Sequence, residues 1–564
     1  MKFKDYKYER PNMEQVEKQL RELIEKFKSS NTAADQIETM EEITSLRRHT
    51  ETMNLLVSVR NSINTVDPFY EEEKQFMDNN MPSYSNVVSE FYSALVNSKF
   101  RKELEAEYGK QLFRLADYQM KAIKPEIIDD LKEENRLVTE YDKLKASAKI
   151  MFEGEQRNLS QLEPFMQSQD REMRKKAFKA WTSFFKENEK KFDDIYDKLV
   201  KVRHRMATKL GYKSYVELGY IRMMRLDYNK DMVANYRDQV QKYIVPVSEE
   251  LRKRQGKRLG LDKLKYYDET LQFLTGNANP KGDSEWIINN GKRMYSELSK
   301  ETEEYFNYMV ENELLDLLSK KGKAGGGYCE FIPEYRSPFI FANFNGTSGD
   351  IDILTHEAGH AFQAFRSRNA KSLEYAFPTN ESAEIHSMSM EFLTWPWMKL
   401  FFEEDEAKYK FTHLSSALTF IPYGVTVDEF QHFVYENPEA TPDERKSAWR
   451  RIEKKYMPGK DYEDNDFLEK GTYWFKQSHI FQIPFYYIDY TLAQVCALQF
   501  WVKSLENREE AWKDYLDLCN VGGSKSFLEL IEIAKLQNPF ENGCIESVVG
   551  PAKKYLDSVD DTKL

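Results

Sequence analysis

The sequence predicts a mostly α-helical protein with one small β-sheet. Its 564 residues are 31% charged and 41% hydrophobic, which is the balance of a globular chain that can bury a large core. Within residues 1–300, long Glu- and Lys-rich stretches carry apolar residues at helical spacing, as Val16, Leu20, Ile24 and Phe27 illustrate. Few Pro or Gly residues interrupt these stretches, so long helices are expected.

The small sheet is expected between Lys321 and Gly349, where the character of the sequence changes. Glycines at 325–327 open this region, and two β-forming runs follow at 328–332 and 339–344. An exposed edge strand could pair with an extended peptide backbone, and the second run, from Phe341 onward, is the candidate edge. From the residues alone, a purely structural hairpin is as well supported as a peptide-binding edge.

The helix expected after this sheet contains His356-Glu357-Ala358-Gly359-His360. Residues four apart share one helix face, so His356 and His360 can present two imidazoles to one metal ion. Glu357 lies about 100° round the helix, where its carboxylate can take a proton from a bound water. Catalytic zinc sites use three protein ligands and one open position, so the chain must supply a third ligand. The structural alternative is a buried histidine pair on an ordinary amphipathic helix.

A second helix, expected over 380–393, offers that third ligand. Glu381, Glu384 and Glu391 lie three and seven residues apart and share one face. The helix is rich in Met, Phe and Leu, so its carboxylates are expected to be buried and to need partners, which a metal and its histidines would provide. Glu384 is the preferred ligand and Glu381 the competing one. Glu391 and Asp352 are expected to accept hydrogen bonds from the ligand histidines.

A third cluster comprises His479, Tyr486 and Tyr490. Metal-assisted hydrolysis of a carbonyl group develops an oxyanion, which imidazole and phenol donors can stabilise without adding negative charge. The two tyrosines are four apart and share a helix face, whereas Tyr487 is expected to point elsewhere. Because the chain has 34 tyrosines, any one of them is more often structural, and the cluster is the stronger signal.

In this order the motifs resemble the thimet oligopeptidase/oligoendopeptidase F family of zinc metallopeptidases, most closely its bacterial oligoendopeptidase F and Pz-peptidase branch. Further matching segments are Tyr215–Met223 with Asp227-Tyr228, Gly325–Cys329 and Phe341–Gly346. The ordered set spans much of the chain and is far more specific than HEAGH alone. One segment departs from the thimet branch, whose Gly-rich stretch between the histidine and the tyrosines is replaced here by Ile480–Phe485.

The resemblance implies roles for these residues. One Zn²⁺ would be bound by the two motif histidines and Glu384, with Glu357 as the general base. His479, together with Tyr486 or Tyr490, would stabilise the transition state. The peptide would bind along the last strand and the loop that follows it, at Phe341, Ala342, Asn343, Phe344 and Gly346.

The resemblance also implies a bilobal, zincin-type helical fold with a deep substrate channel. Residues 1–180 would form an N-terminal helical lobe, and residues 181–564 the zinc metallopeptidase catalytic region. A narrow channel excludes folded proteins, so the expected activity is cleavage of internal bonds in short peptides, with Pro- and Gly-containing collagen-derived peptides among them. A related zinc carboxypeptidase is the alternative, and a non-hydrolytic helical protein with a structural metal is another.

Composition and charge exclude some classes of binding partner. A net charge of −12 argues against nucleic acid, because binding phosphates requires a basic surface. No run of about eighteen apolar residues occurs, so no membrane partner is expected. Residues 1–8 lack an apolar signal region, and the four cysteines lack a disulfide-framework spacing. We therefore expect a cytoplasmic protein with reduced thiols; the sequence gives no basis for assigning an oligomeric state.

Overall fold

The computed structural model describes residues 1–564 and confirms the mostly helical architecture. The first helices are α1 Met13–Ser29, α2 Ala33–Ile63, α3 Pro68–Val96, α4 Arg101–Tyr108, α5 Lys110–Ala122 and α6 Ile128–Ala146. The next are α7 Glu163–Met166, α8 Arg171–Glu187, α9 Glu189–Lys209, α10 Tyr215–Arg222, α11 Lys230–Gln239, α12 Val245–Arg258, α13 Ser284–Leu298 and α14 Lys300–Glu311. The remainder are α15 Gly349–Ser367, α16 Asn380–Leu393, α17 Lys399–Phe402, α18 Glu406–Glu436, α19 Pro442–Tyr456, α20 Asp466–Glu469, α21 Ser478–Gln482, α22 Tyr487–Glu506, α23 Arg508–Val521, α24 Phe527–Ile533 and α25 Cys544–Ser558.

Two hydrophobic cores hold these helices together. A cluster of 20 buried residues lies among helices α1 to α5, with Leu20, Phe27 and Leu95 among them, and Tyr375 is its one member from outside these helices. The larger cluster of 117 residues includes members of α6 to α9 and most of the chain that follows. The division into lobes at residue 180 stays a prediction. None of the helices combines the length and apolar character needed to cross a membrane.

The larger sheet lies directly before α15 in the chain, as predicted. It contains β3 Leu315–Leu318, β4 Tyr328–Ile332 and β5 Ser337–Phe344 in the order β3-β5-β4. Strand β5 is parallel to β3 and antiparallel to β4. A separate two-stranded hairpin comprises β1 Ile150–Phe152 and β2 Glu155–Arg157.

The prediction that Phe341–Phe344 is an exposed edge is wrong, because β5 is the central strand. The reason is visible in its composition: a nearly continuous apolar run is typical of a strand buried on both faces. Phe341 and Ala342 are 0% exposed, and Phe344 is nearly so. The sequence reasoning missed β3, which covers the second side of β5. Strands β3 and β4 are the two edge strands instead.

The other two residues assigned to substrate binding fix the loops around the sheet. The Asn343 side-chain amide donates to the carbonyl oxygens of Ala324 and Gly326, at 2.8 and 2.9 Å, and so orders the glycine-rich loop. Gly346 adopts a φ of +86°, and its N–H donates to Asp350 Oδ2 at 2.8 Å. That contact secures the turn through which the chain enters α15.

Helices α15 and α16 cross closely because residue 359 is glycine. A Cβ atom at Gly359 would lie 2.6 Å from both the carbonyl oxygen of His386 and the Cα of Ser387. Packed backbone cannot yield to such an overlap without moving a helix. The close crossing brings Glu384 of α16 beside the motif histidines of α15.

Candidate metal centre

The structure brings together the three predicted ligands. The ligand atoms of His356, His360 and Glu384 all lie within 4.8 Å of one another. Glu384 Oε2 is 3.2 Å from His356 Nε2 and 3.5 Å from His360 Nε2. Burial opposes ionisation of Glu384, but the two imidazoles hold its pKa well below the usual range. Two nitrogens and one carboxylate oxygen converging in this way fit a divalent metal of the zinc type.

Glu391 orients one of these ligands, as the sequence predicts. Its Oε1 lies 2.7 Å from His356 Nδ1, and its Oε2 lies 2.8 Å from His413 Nε2. The indole N–H of Trp395 donates to His413 Nδ1 at 3.2 Å, so His413 Nε2 carries the proton that Glu391 accepts. With Glu391 as acceptor, His356 holds its proton on Nδ1 and leaves Nε2 free for a metal. The sequence reasoning did not identify His413.

Asp352 occupies a different position from the one expected. It accepts a hydrogen bond from the hydroxyl of Tyr409 at 2.5 Å, and no hydrogen bond joins it to either ligand histidine. Burial raises the pKa of Asp352 to about 6. The carboxyl group therefore lines the cavity beside His356 without orienting a ligand directly.

Glu357 lies beside the ligands with one oxygen free. The residue is only 8% exposed, yet its Oε2 has no hydrogen-bond partner. Its Oε1 is 3.5 Å from the point that a Cβ at Gly327 would occupy, so the carboxylate lies close to the backbone directly before β4. Burial raises the pKa of Glu357, which favours a group that can both accept and release a proton.

The histidine and tyrosines from the C-terminal cluster face the ligands. The hydroxyl of Tyr486 donates to Glu384 Oε1 at 2.9 Å, and the Tyr490 hydroxyl lies 3.4 Å from His479 Nε2. The Gln477 amide donates to His479 Nδ1 at 2.8 Å, so the ring proton is on Nε2, towards Tyr490. Burial lowers the pKa of His479 to about 4, which keeps the imidazole neutral.

Two features of this cluster differ from the sequence reasoning. Tyr487 does not point away: its ring meets that of His479 edge-on at 5.2 Å. It lines the same cavity of about 370 Å³ as His479, His356 and Tyr490. Gln477, which sets the His479 tautomer, was not identified, although its position two residues before the histidine could have suggested it.

A buried arginine, Arg225, bonds both to helix α16 and to the turn at Phe485 that precedes Tyr486. Arg225 is 3% exposed; it donates to Glu381 Oε2 at 3.0 Å and to the carbonyl oxygen of Phe485 at 2.9 Å. It also forms an ion pair with Asp489. Glu381, the competing ligand, is thus held by Arg225 and lies outside the ligand group. Arg225 follows the matched Tyr215–Met223 segment closely, but no local pattern marked it.

The Phe485 backbone explains why this anchoring is needed. Phe485 adopts a φ of +68°, a region that residues with a side chain rarely occupy. Its N–H donates to Gln431 Oε1 at 3.0 Å. Its ring packs so closely on Gly219 that a Cβ there would lie 2.6 Å from it. The turn that presents Tyr486 is therefore fixed by distant residues.

An HExxH helix crossed by a second helix that supplies a carboxylate ligand, with a free glutamate beside them, defines a metallopeptidase type of site. Models of protein families agree with this class: the Peptidase M3 N-terminal domain matches residues 3–123, and Peptidase family M3 matches residues 164–549. The chain belongs to peptidase family M3.

Comparison with individual relatives agrees with this family assignment. The chain shares 58% identity with Pz peptidase A, solved with an inhibitor, over 100% of both chains and with a TM-score of 0.96. An oligoendopeptidase F homolog of Borreliella burgdorferi is 22% identical over 70% of this chain and 66% of its own length. One from Lactococcus lactis is 24% identical over 65% of this chain and 60% of its own length. The chain therefore spans 66% and 60% of the lengths of these two relatives.

Proposed function

We propose that this chain is a zinc-dependent oligoendopeptidase that cleaves internal bonds of short peptides. The observation that carries the proposal is the free Oε2 of Glu357, buried beside three converging ligand atoms. Buried polar atoms are normally hydrogen-bonded, and an exception at a ligand group points to a reaction partner. A structural metal site would not require this unpaired carboxylate.

The ligand set suits zinc. Neutral imidazole nitrogens with one carboxylate are a common catalytic zinc set, and they leave a coordination position open. When bound, Zn²⁺ polarises a carbonyl oxygen and lowers the pKa of a water molecule. Glu391 and His413 contribute by holding His356 in the tautomer that leaves Nε2 unprotonated.

The residues of the chain would handle the protons. Glu357 takes a proton from the attacking water as the new C–O bond forms, and it delivers that proton to the amine as the C–N bond breaks. His479 Nε2–H and the hydroxyl of Tyr490 are candidate donors for the developing oxyanion, and the Tyr486 hydroxyl is a third once it turns from Glu384 Oε1. His479 can serve at neutral pH because it is a donor in its neutral form, with the proton placed on Nε2 by Gln477.

Strand β4 is the structural candidate for binding the peptide backbone. One side of β4 pairs with β5, from Tyr328 to Ile332, and its other side has no strand beside it. The strand begins directly after Gly327, next to the Glu357 carboxylate. A peptide that adds to the free side of β4 would therefore pass the general base with its backbone hydrogen-bonded.

Substrate range and location follow as parts of the same proposal. We extend the proposal to Pro- and Gly-containing, collagen-derived peptides, which the sequence resemblance to the Pz-peptidase branch implies, and a panel of matched peptides with and without Pro-Gly would test this preference. The four cysteines are all unpaired. Free thiols are typical of a reducing compartment, which supports a cytoplasmic location.

The test is Glu357→Gln, assayed with a short peptide blocked at both ends. The variant should retain wild-type metal content and lose turnover by about 10²- to 10⁴-fold, the contribution expected of a general base. Glu439→Gln, on an exposed surface glutamate, is the matched control and should behave as wild type. Full activity of Glu357→Gln would refute the mechanism. Failure of the wild type to cleave the blocked peptide, with release of only C-terminal residues from its free-acid form, would favour the carboxypeptidase alternative.

A further inference from the structure

A second cavity, of about 410 Å³, adjoins the segment that leads to His479. It is bounded by the end of α6, by α7 and α8, and by the turn Tyr473–Lys476. One side is cationic, with Lys145 and Lys476, and the other is aromatic, with Phe178 and Trp181. This combination of a charged wall and an apolar wall is typical of a site for an amphipathic small group.

Neither lysine of this cavity forms a direct ion pair, and the carboxyl groups of Asp142 and Glu269 act on them only at longer range. Lys145 Nζ donates to the carbonyl oxygen of Lys476 at 3.1 Å and to Ser478 Oγ at 2.8 Å. Lys476 Nζ donates to the hydroxyl of Tyr473 at 2.8 Å. Buried or half-buried ammonium groups are normally paired with carboxylates. Two unpaired ones side by side leave a site that an anion would complete.

The remaining ionisable groups do not cancel this positive charge. Burial opposes ionisation of Tyr473, yet Lys476 and Lys460 lower the pKa of its hydroxyl below the usual value. Burial raises the pKa of Glu163, the one carboxyl group in the lining, and so favours its neutral form. Burial lowers the pKa of Lys145; Asp142 opposes this shift and Lys476 adds to it. The Tyr473 shift has the direction expected beside positive charges, whereas burial sets the direction of the Glu163 shift against the effect of Lys476.

The cavity is linked to the metal centre through the chain itself. Lys145 bonds to Ser478, which directly precedes His479. Lys476 lies in the same short segment, and Gln477 between them holds the His479 ring. The charge of Lys145 contributes, after burial, to the lowered pKa of His479, so the two groups are close in space. A ligand of the lysines would thus contact the segment that positions a transition-state donor.

We propose that this cavity binds the C-terminal carboxylate of a peptide, with the lysine ammonium groups as donors and the aromatic wall against the last side chain. A carboxylate is the anion that every short peptide carries, and an apolar terminal side chain matches Phe178 and Trp181. The proposal rests on the proposed peptidase function. It adds that the protein selects short peptides by their free C-terminus and cleaves at a set distance from it.

The kinetic test compares matched peptides that end in a free acid or in an amide. The wild-type holoenzyme should show a kcat/KM at least about tenfold higher for the acid, since a charge-assisted hydrogen bond is lost in the amide. In Lys476→Met and Lys145→Met the ratio of the acid rate to the amide rate should fall to about one; this ratio is the readout because Lys145 also bonds the segment before His479. Lys143→Met, on an exposed lysine of the same helix, should keep the wild-type preference.

A binding test remains informative if no peptide is cleaved. Glu357→Gln protein with metal bound is titrated with N-acetyl-glycyl-leucine and with its amide, and the fluorescence of Trp181 is followed. Trp181→Phe identifies the signal. We expect the acid to bind at least about tenfold more tightly than the amide, with the difference lost in Lys476→Gln.

Equal affinities or equal rates for acid and amide in wild type would overturn the carboxylate site and leave the peptidase proposal intact. The same holds if the lysine variants lower both rates in parallel. Absence of hydrolysis for every peptide would instead overturn the peptidase proposal, and the fluorescence titration would still decide whether the cavity binds a carboxylate.

Discussion

The two helices that carry the metal ligands differ in construction from the turn that carries the tyrosines. In α15 and α16, helix periodicity sets the ligand spacing, and Gly359 permits the close crossing. The turn before α22 has a positive φ at Phe485 and depends on Arg225, 260 positions away in the sequence. Local geometry therefore suffices for the ligands, whereas the donors opposite them require long-range anchoring.

The largest expected effect distinguishes the ligand helices from the tyrosine-bearing turn by whether a substitution removes the metal or only lowers the rate. His360→Ala removes a ligand and should lower both metal content and kcat/KM, the latter by on the order of 10⁴-fold or more, because metal-assisted water activation is lost. Tyr486→Phe should retain the metal and lower kcat by about 10²-fold, as for removal of an oxyanion donor. Metal content after gel filtration, measured beside kcat and KM, checks both. Loss of metal from Tyr486→Phe would show that its bond to Glu384 serves the ligand set.

The next effect tests whether Arg225 acts through Tyr486. Arg225→Lys keeps the charge but cannot reach Glu381 and the Phe485 carbonyl together, so it should lower kcat by about 10- to 100-fold through misplacement of the turn. In a Tyr486→Phe background the same change should have almost no further effect on kcat. Arg174→Lys, at a buried arginine paired with Asp268, is the matched control and should leave kcat unchanged. Additive losses in the double variant would contradict this coupling.

The parts that could be predicted from the sequence are those fixed by short-range periodicity. The HExxH helix and the helix over 380–393 have their predicted places, and the three ligand atoms converge. The contact of Glu391 with His356 also follows from the pattern of carboxylates on one helix face. Each of these rests on the 3.6-residue repeat of a helix, which a single sequence displays directly.

The parts that could not be predicted depend on pairing between distant segments. The prediction of an exposed edge at Phe341–Phe344 was wrong because a short strand, β3, pairs with the far side of β5, and strand neighbours are not encoded in local propensity. His413, Gln477 and Arg225 act through side-chain contacts made across the fold. The strain at Phe485 has no sequence signature, because only the surrounding packing makes it tolerable.

The smallest expected effect tests how the fold holds His479. The pKa of this imidazole is lowered from 6.5 to about 4 in the folded protein. Between these two pH values the imidazole is therefore protonated in the unfolded chain and neutral in the folded one. Stability from this source is complete above pH 6.5 and declines as the pH falls towards 4. At pH 5 the loss should be on the order of 1–2 kcal/mol.

Comparison of His479→Gln with wild type at pH 8 and pH 5 isolates this contribution. The free energy of unfolding is measured in chelator-treated protein, so that release of metal adds no pH dependence of its own. The variant loses the His479 contacts at both pH values, and those losses cancel when the two differences are compared. Wild type should therefore lose about 1–2 kcal/mol more than the variant between pH 8 and pH 5. An equal decline in both proteins would mean that His479 has the same pKa in the folded protein as in the unfolded chain. The imidazole could then act as a neutral N–H donor opposite the metal ligands only at higher pH.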